Sequence, residues 1–359
     1  MSIRKVSFFA LALALVLSSC SKVELVNSGR TIAFQTASYA TRIGIEGTVF
    51  PTSESFGVYA WAEGTIGEYF MDNERISYTP ADGIWRPSTT YYWPKNTTID
   101  FLGFYPYGLS EVTPSRDKIT YTAYDVEAGQ EDVMYSSKAV GYGDNPDGSG
   151  QGVDGSNGVP ILFHHALSKV TVLAELAFDR IEEEDGTVYE WEVTVNKASI
   201  NNFFKKGDAE FTLAEEPTEG LVDWIKPVDA DTNRVWTNDG ALTSRVADGP
   251  VKLTAENPTV IIPEFFTLPQ ALDTLGQSVT VYFNVKTKRN GKDFLSETLT
   301  RSAYLYLDEI PAWEINHKII YKLVFSPIEL GNDGKPSIIT FDPAVDDWEV
   351  ITASTFINI

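Results

Sequence analysis

Alternation with a period of two residues recurs along this chain, and it restricts the fold more than any other feature. Thr31-Ile-Ala-Phe-Gln-Thr36, Lys169-Val-Thr-Val-Leu-Ala-Glu-Leu176 and Val279-Thr-Val-Tyr-Phe-Asn-Val285 each switch between apolar and polar positions. Trp191-Glu-Val-Thr-Val-Asn196, Thr259-Val-Ile-Ile262 and the stretch from His317 to Phe325 fit the same class. Neighbouring side chains of a strand point to opposite faces, so such a segment buries one face and wets the other. Its β-branched and aromatic residues suit a pleated, half-buried surface. No window keeps apolar residues at i, i+3, i+4 and i+7 for three turns. The 18 prolines and 26 glycines break the runs at intervals typical of a sandwich. The expected fold is all-β, with at most a helical turn in a loop.

Length and charge narrow this further. A mature chain of roughly 340 residues exceeds what one core usually organises, so two domains are expected. The boundary falls near Leu167 to Lys169, after Pro160-Ile-Leu-Phe163, which gives units of 43–168 and 169–359. No low-complexity linker marks it, so the two should pack closely. With a single cysteine, Cys20, there is no disulfide framework, zinc knuckle or CxxC pair. Stability must come from burial, for which 43% hydrophobic and 13% aromatic residues are available. The formal charge of −22 repels phosphate backbones and anionic headgroups, which argues against nucleic acid as a partner. The acidity also disfavours self-association of the free protein.

The first residues address the compartment. Arg4 and Lys5 precede an apolar run, Val6 to Val16, that is too short to span ~30 Å of hydrocarbon as a helix. It reads as the core of a signal peptide covering residues 1–19. Leu17-Ser18-Ser19-Cys20 resembles a bacterial lipobox, in which the Cys20 thiol is acylated and the signal is cut just before it. The expected location is the outer membrane surface, with the acyl chains as the membrane contact.

Catalytic chemistry is thinly represented. His164 and His165 are adjacent, so on a strand they face opposite sides and do not chelate one ion together; His317 stands apart. No HExxH, GxSxG, GxGxxG or GxxxxGK[ST] occurs, and carboxylate pairs such as Asp346-Asp347 and Glu215-Glu216 are expected by chance among 50 acids. No enzyme activity, cofactor or metal is expected. The Asp- and Gly-rich stretch Gly141 to Gly158 invites a calcium-loop reading. Counting from Asp144, however, its third position is Pro146 where an oxygen ligand belongs, so it reads as a solvated insertion. Arg180 to Gly186 looks like a hairpin tip. The aromatic runs Tyr91-Tyr92-Trp93 and Phe101 to Tyr107 offer either a sugar-stacking platform or core, and core is the simpler reading.

A succession of short motifs spans the chain. Thr41-Arg42 is followed by Trp85, Tyr91-Tyr-Trp-Pro94, Asp100-Phe-Leu-Gly-Phe-Tyr-Pro106 and Gln130-Glu-Asp-Val-Met-Tyr135. Ile161-Leu-Phe-His-His-Ala-Leu-Ser-Lys169, Trp313-Glu-Ile-Asn-His-Lys-Ile-Ile-Tyr-Lys322 and Phe341-Asp-Pro-Ala-Val-Asp-Asp-Trp348 complete it. In this order they resemble the fimbrillin family, the Mfa-like and FimA-like surface lipoproteins of Gram-negative gut and oral anaerobes. The resemblance implies two tandem transthyretin-like β-sandwich domains and a role as a type V pilus (fimbrium) subunit. It also implies removal of the anchor and first strand by an arginine-specific protease, and filling of the resulting groove by a neighbour's C-terminal strand.

The residues can be matched to those steps. Arg30 precedes the strand Thr31–Thr36, so a cut there leaves the strand in place. Arg42 follows it, so a cut there releases Ile32 and Phe34, and residues 20–42 become a propeptide. At the other end, Ile351, Ala353, Thr355, Ile357 and Ile359 share one face of an alternating nonapeptide, the expected donor strand within about 337–359. Burying two or three such isoleucines contributes ~1.5–3 kcal/mol each, and backbone pairing on an open edge adds to that. The expected partners are other pilus subunits, with host or bacterial surface ligands. The competing expectation is a monomeric lipid-anchored glycan-binding protein of a polysaccharide-uptake system. Stalk, tip and anchor roles are not distinguished by these residues.

Overall fold

The computed structural model describes residues 27–37, 50–64, 69–81, 83–95, 97–129, 131–143, 151–152, 158–212, 224–225, 250–326 and 338–341. Within them the alternating segments are strands, at Ser168–Leu176, Val188–Asn201, Thr259–Thr267, Ser278–Arg289 and Lys318–Ser326. The one helix among these residues is a four-residue turn, Val126–Gly129. Arg180 to Gly186 does form a hairpin tip, closed by the Glu183 N–H donating to the Thr187 carbonyl at 2.8 Å. The first alternating segment is split. Asn27–Thr31 and Phe34–Ala37 are separate strands with a two-residue step between them.

The first large sheet runs in the order Met134–Ser136, Val159–His165, Phe34–Ala37, Ile84–Pro87, Met71–Thr79, Ser55–Ala62, Ile99–Tyr105, Ala139–Gly143, Gln151–Gly152. Met134–Ser136 also pairs with Ile99–Tyr105, through Met134↔Tyr105 and Tyr135↔Phe104. The first seven strands therefore close into a ring, which removes the free edges that an open sheet exposes. Ile32, Phe34, Phe56, Val58, Phe101 and Ile161 belong to one core cluster. Tyr59, Trp61, Leu102 and Phe104 belong to another, with Ile119, Tyr121 and Tyr124 of a second sheet. Ser55–Ala62 contributes to both clusters and is buried at seven successive positions. It is thus covered on both faces and carries an unbroken apolar run, without the polar alternation of a half-exposed strand.

The second sheet centres on Lys118–Asp125, which pairs with Val112–Pro114 on one side and Lys206–Thr212 on the other. A strand from beyond residue 169 thus hydrogen-bonds to one from well before it. Two further sheets share the largest core cluster. One has the order Thr259–Thr267, Ser168–Leu176, Lys318–Ser326, Ile338–Phe341; the other, Arg180–Glu182, Val188–Asn201, Ser278–Arg289, Lys292–Tyr304. Inside, the Trp313 indole N–H donates to the Tyr321 hydroxyl (3.0 Å), which donates to the Leu305 carbonyl (3.0 Å).

Ser278–Arg289 and Lys292–Tyr304 form a long hairpin around Asn290-Gly291, both at positive φ (50° and 73°). Asn-Gly is the pair that a two-residue turn of this hand requires. Among the described residues Lys292–Tyr304 ends its sheet, so its outer edge is a template for foreign strands. Glu297 and Arg301 stand on the core-facing side of that strand, opposite the buried Val285 and Val281. An added strand would bury both charges, and this protects the edge. Replacing both by valine (E297V with R301V) is expected to produce concentration-dependent self-association in sedimentation velocity. A double variant that stays monomeric would show that the charges do not guard this edge.

Candidate functional site

The segment 27–37 runs from a small two-stranded sheet into the closed one. Asn27–Thr31 pairs with Tyr92–Pro94. The chain then steps inwards, where the Ile32 N–H donates to the Tyr91 carbonyl (2.9 Å) and the Ala33 carbonyl accepts the Val159 N–H (2.8 Å). Phe34–Ala37 next lies parallel to Val159–Leu162 over four Cα pairs. On its other side it meets Ile84–Pro87 at one pair, Phe34↔Trp85. Among the described residues Phe34–Ala37 is paired at four positions on one side and at one on the other, while Ile32 and Phe34 are deeply set. Ile32 is 1% exposed and Phe34 0%, and the Phe34 ring meets Phe101 edge-on at 5.5 Å between centroids. Burial of the two side chains contributes ~1.5–3 kcal/mol each.

The slot is shaped by residues far apart in sequence. Gly158, at φ +60°, lies against the backbone of residues 33 and 34. A Cβ there would sit 2.7 Å from the Phe34 carbonyl carbon and 2.8 Å from the Ala33 carbonyl carbon and oxygen. Glu74 fixes the loop that carries the Tyr91 carbonyl. Its carboxylate accepts the Ser88 hydroxyl (2.7 Å), the Thr89 N–H (2.8 Å) and the Tyr91 hydroxyl (3.2 Å). Burial, with Glu74 beside it, raises the Tyr91 phenol above its ordinary range. The arrangement suits an extended peptide that supplies alternate apolar side chains and a backbone edge.

Sequence reasoning identified Ile32 and Phe34 and named Trp85 as part of the family pattern, but missed Gly158 and Glu74. Gly158 was counted in a solvated insertion; instead it packs beneath the first strand. The positions expected to process, anchor or donate were Cys20, Arg42, Ile351, Ala353, Thr355, Ile357 and Ile359, and all lie outside the described residues. Of the expected donor region, Ile338–Phe341 is described and pairs antiparallel with Lys318–Ser326 of the same chain. The aromatic runs supply core: Trp93, Phe101 and Phe104 are buried, while Tyr92 and Tyr107 reach the surface.

The histidines do not form a catalytic relay. Ser137 Oγ lies 2.8 Å from His164 Nε2, whereas the nearby carboxylate, Asp132, pairs with the other histidine, at 2.7 Å from His165 Nδ1. Burial, and His165 next to it, hold the His164 imidazole below the usual histidine range. Among the described residues no group of three or more His, Cys, Asp or Glu side chains could hold a metal ion, and no helix is long and apolar enough to cross a membrane.

Fold and slot together define an all-β protein in which an early stretch of the chain completes a sheet built by later residues. Comparison with known proteins then places it. The chain belongs to the fimbrillin-like family, whose model matches residues 41–348. A solved fimbrial protein from Bacteroides vulgatus has the same fold. It is 15% identical with a TM-score of 0.56, over 89% of this chain and 99% of that one. A candidate cell adhesion protein from Bacteroides uniformis is 18% identical (TM-score 0.44; 89% and 99% covered). The fimbrial anchor protein Mfa2 from Porphyromonas gingivalis is 11% identical (TM-score 0.31; 90% and 99% covered). No curated protein matches the chain. Membership makes it a cell-surface protein of the fimbrial, adhesive type.

Proposed function

We propose that this protein is a structural and adhesive pilus subunit that polymerises by exchanging its own first strand for a strand of a neighbour. It is exported as a lipoprotein acylated at Cys20 and cut after Arg42. The vacated slot then receives the alternating segment Ile351 to Ile359 of the next copy. In this reading residues 43–168 and 169–359 are two transthyretin-like units that act as acceptor and donor, and no reaction is catalysed.

One observation carries the proposal. The two completely buried side chains, Ile32 and Phe34, belong to a segment whose strand Phe34–Ala37 is held by four Cα pairs on one side and one on the other. A large apolar plug on a short ladder can be replaced by another of similar pattern, and a closed ring gives it a defined place to enter. Until replacement, the first strand covers an edge that would otherwise aggregate.

The test is N-terminal sequencing of the surface-exposed form, combined with deletion of residues 351–359. A start at Ile43, and loss of detergent-resistant filaments in the deletion, are the expected results. Acylated Cys20 retained on all of the protein, or filaments unaffected by the deletion, would overturn the proposal.

A further inference from the structure

The hairpin Ser278–Tyr304 carries a second feature, on the side facing away from its core. Val279, Val281, Phe283 and Val285 are buried, so Thr280, Tyr282 and Asn284 point outwards. Their cross-strand partners complete successive rows across three strands. These are Asn201, Ser278, Tyr304; then Ser199, Thr280, Ser302; then Lys197, Tyr282, Thr300; then Thr194, Asn284, Thr298. In a chain with 50 acids these four rows hold no carboxylate; the fourth extends to Lys252, opposite Thr194, so they carry two cations, and Lys252 Nζ pairs with Glu192 in the next row (3.0 Å). Asn201, Ser199 and Ser278 are buried, so the accessible part lies on the remaining positions, where Tyr282 is 36% exposed and Tyr304 42%. They lie four residues apart in register, about 13 Å at ~3.3 Å per residue.

The polar groups form two hydrogen-bonded clusters. The buried Asn201 Nδ2 donates to Thr280 Oγ1 (2.9 Å), and Thr280 Oγ1 and Ser302 Oγ share a hydrogen bond (2.7 Å). Thr298 Oγ1 donates to Asn284 Oδ1 (2.8 Å), and Asn284 Nδ2 donates to Asn196 Oδ1 (3.4 Å). Lys197 Nζ lies 5.5 Å from the Tyr282 ring centroid.

Each property excludes a class of ligand. Lys252 is neutralised by Glu192, which leaves Lys197 as the one unbalanced charge of these rows, so the face is close to neutral and draws neither a polyanion nor a cation strongly. Its outward positions carry no aliphatic side chain, so the two tyrosine rings are its apolar surface. A near-neutral face of hydroxyl and amide groups with two exposed rings suits an uncharged ligand that is long, flat and rich in hydroxyls. A tyrosine ring presents an apolar surface to the C–H face of a sugar while its hydroxyl stays wet, and threonine, serine and asparagine can both donate and accept. We propose that this face, centred on Tyr282 and Tyr304, binds a neutral polysaccharide.

The inference does not rest on strand exchange, because it concerns the unassembled protein. Native gels cast with a β-glucan, a mannan or starch test it, against heparin gels and gels without polymer. Retardation in a neutral gel and none in heparin is expected. The affinity should fall at least tenfold in the Y282A and Y304A double variant. It should fall likewise in T300D, which places a carboxylate beside Tyr282, and neither variant should change the melting temperature. Free migration in every neutral gel, retardation by heparin, or variants that bind like the parent would overturn the assignment. Any of these results would leave the filament reading intact.

Discussion

Replacing Phe34 by alanine is expected to destabilise the closed sheet by about 3–5 kcal/mol, the range for removing a fully buried aromatic ring. The side chain is 0% exposed and contacts Phe101 edge-on. The facing Phe101 belongs to a strand paired on both sides in the ring, so it cannot readily move into the gap. The expected signature is regional. The backbone of Phe34–Ala37 has little independent support, so the variant should first release this segment and only then unfold as a whole. Denaturant unfolding should show a lower midpoint, and limited trypsin digestion should cut near Arg42 faster than in the parent. A loss below about 1 kcal/mol, with unchanged digestion, would show that Phe34 is not the anchor of the strand.

The second large effect is expected at Gly158. Alanine there takes a left-handed conformation, which costs ~1–2 kcal/mol for a residue with a Cβ, and the added carbon meets backbone at 2.7–2.8 Å. Backbone cannot rotate aside as a side-chain tip can. The strand must move, straining the Val159 N–H bond to the Ala33 carbonyl. The total should exceed about 3 kcal/mol, in the range associated with overpacking and backbone strain. Gly291 is the control. It has a similar φ of +73° but open space around its Cβ position, so G291A should cost only the conformational part. Combining G158A with removal of residues 1–42 completes a cycle. The substitution should cost markedly less once the strand it collides with is gone. Equal cost in both backgrounds would mean that Gly158 does not shape the slot.

Both predictions concern contacts that no local pattern announces. Phe34 was legible as a core residue because it alternates with Ile32, but nothing near it indicates Val159 as its neighbour, 125 positions later. Gly158 ends a Gly- and Asp-rich stretch whose composition reads as solvent-exposed loop. Its role appears only where the parallel strand arrives. The Asn290-Gly291 turn lies at the other extreme, a two-residue signal sufficient to place a hairpin and left unused by the sequence reading. Ser55–Ala62 was not recognised as a strand because burial on both faces erases the alternation that betrays a strand at the surface.

The sequence by itself determined the all-β class and the position of several long strands, at 169–176, 191–196, 259–262, 279–285 and 317–325, because period-two patterning is a property of neighbouring residues. The tertiary structure alone decided which strands pair. It closed seven of them into a ring through Met134–Ser136, set Lys206–Thr212 beside Lys118–Asp125, and placed Phe34–Ala37 between residues 84–87 and 159–165. Strand pairing is made by backbone groups that all residues but proline share. Partner choice therefore follows from the packing of side chains brought together over long separations, and no short window of sequence contains it.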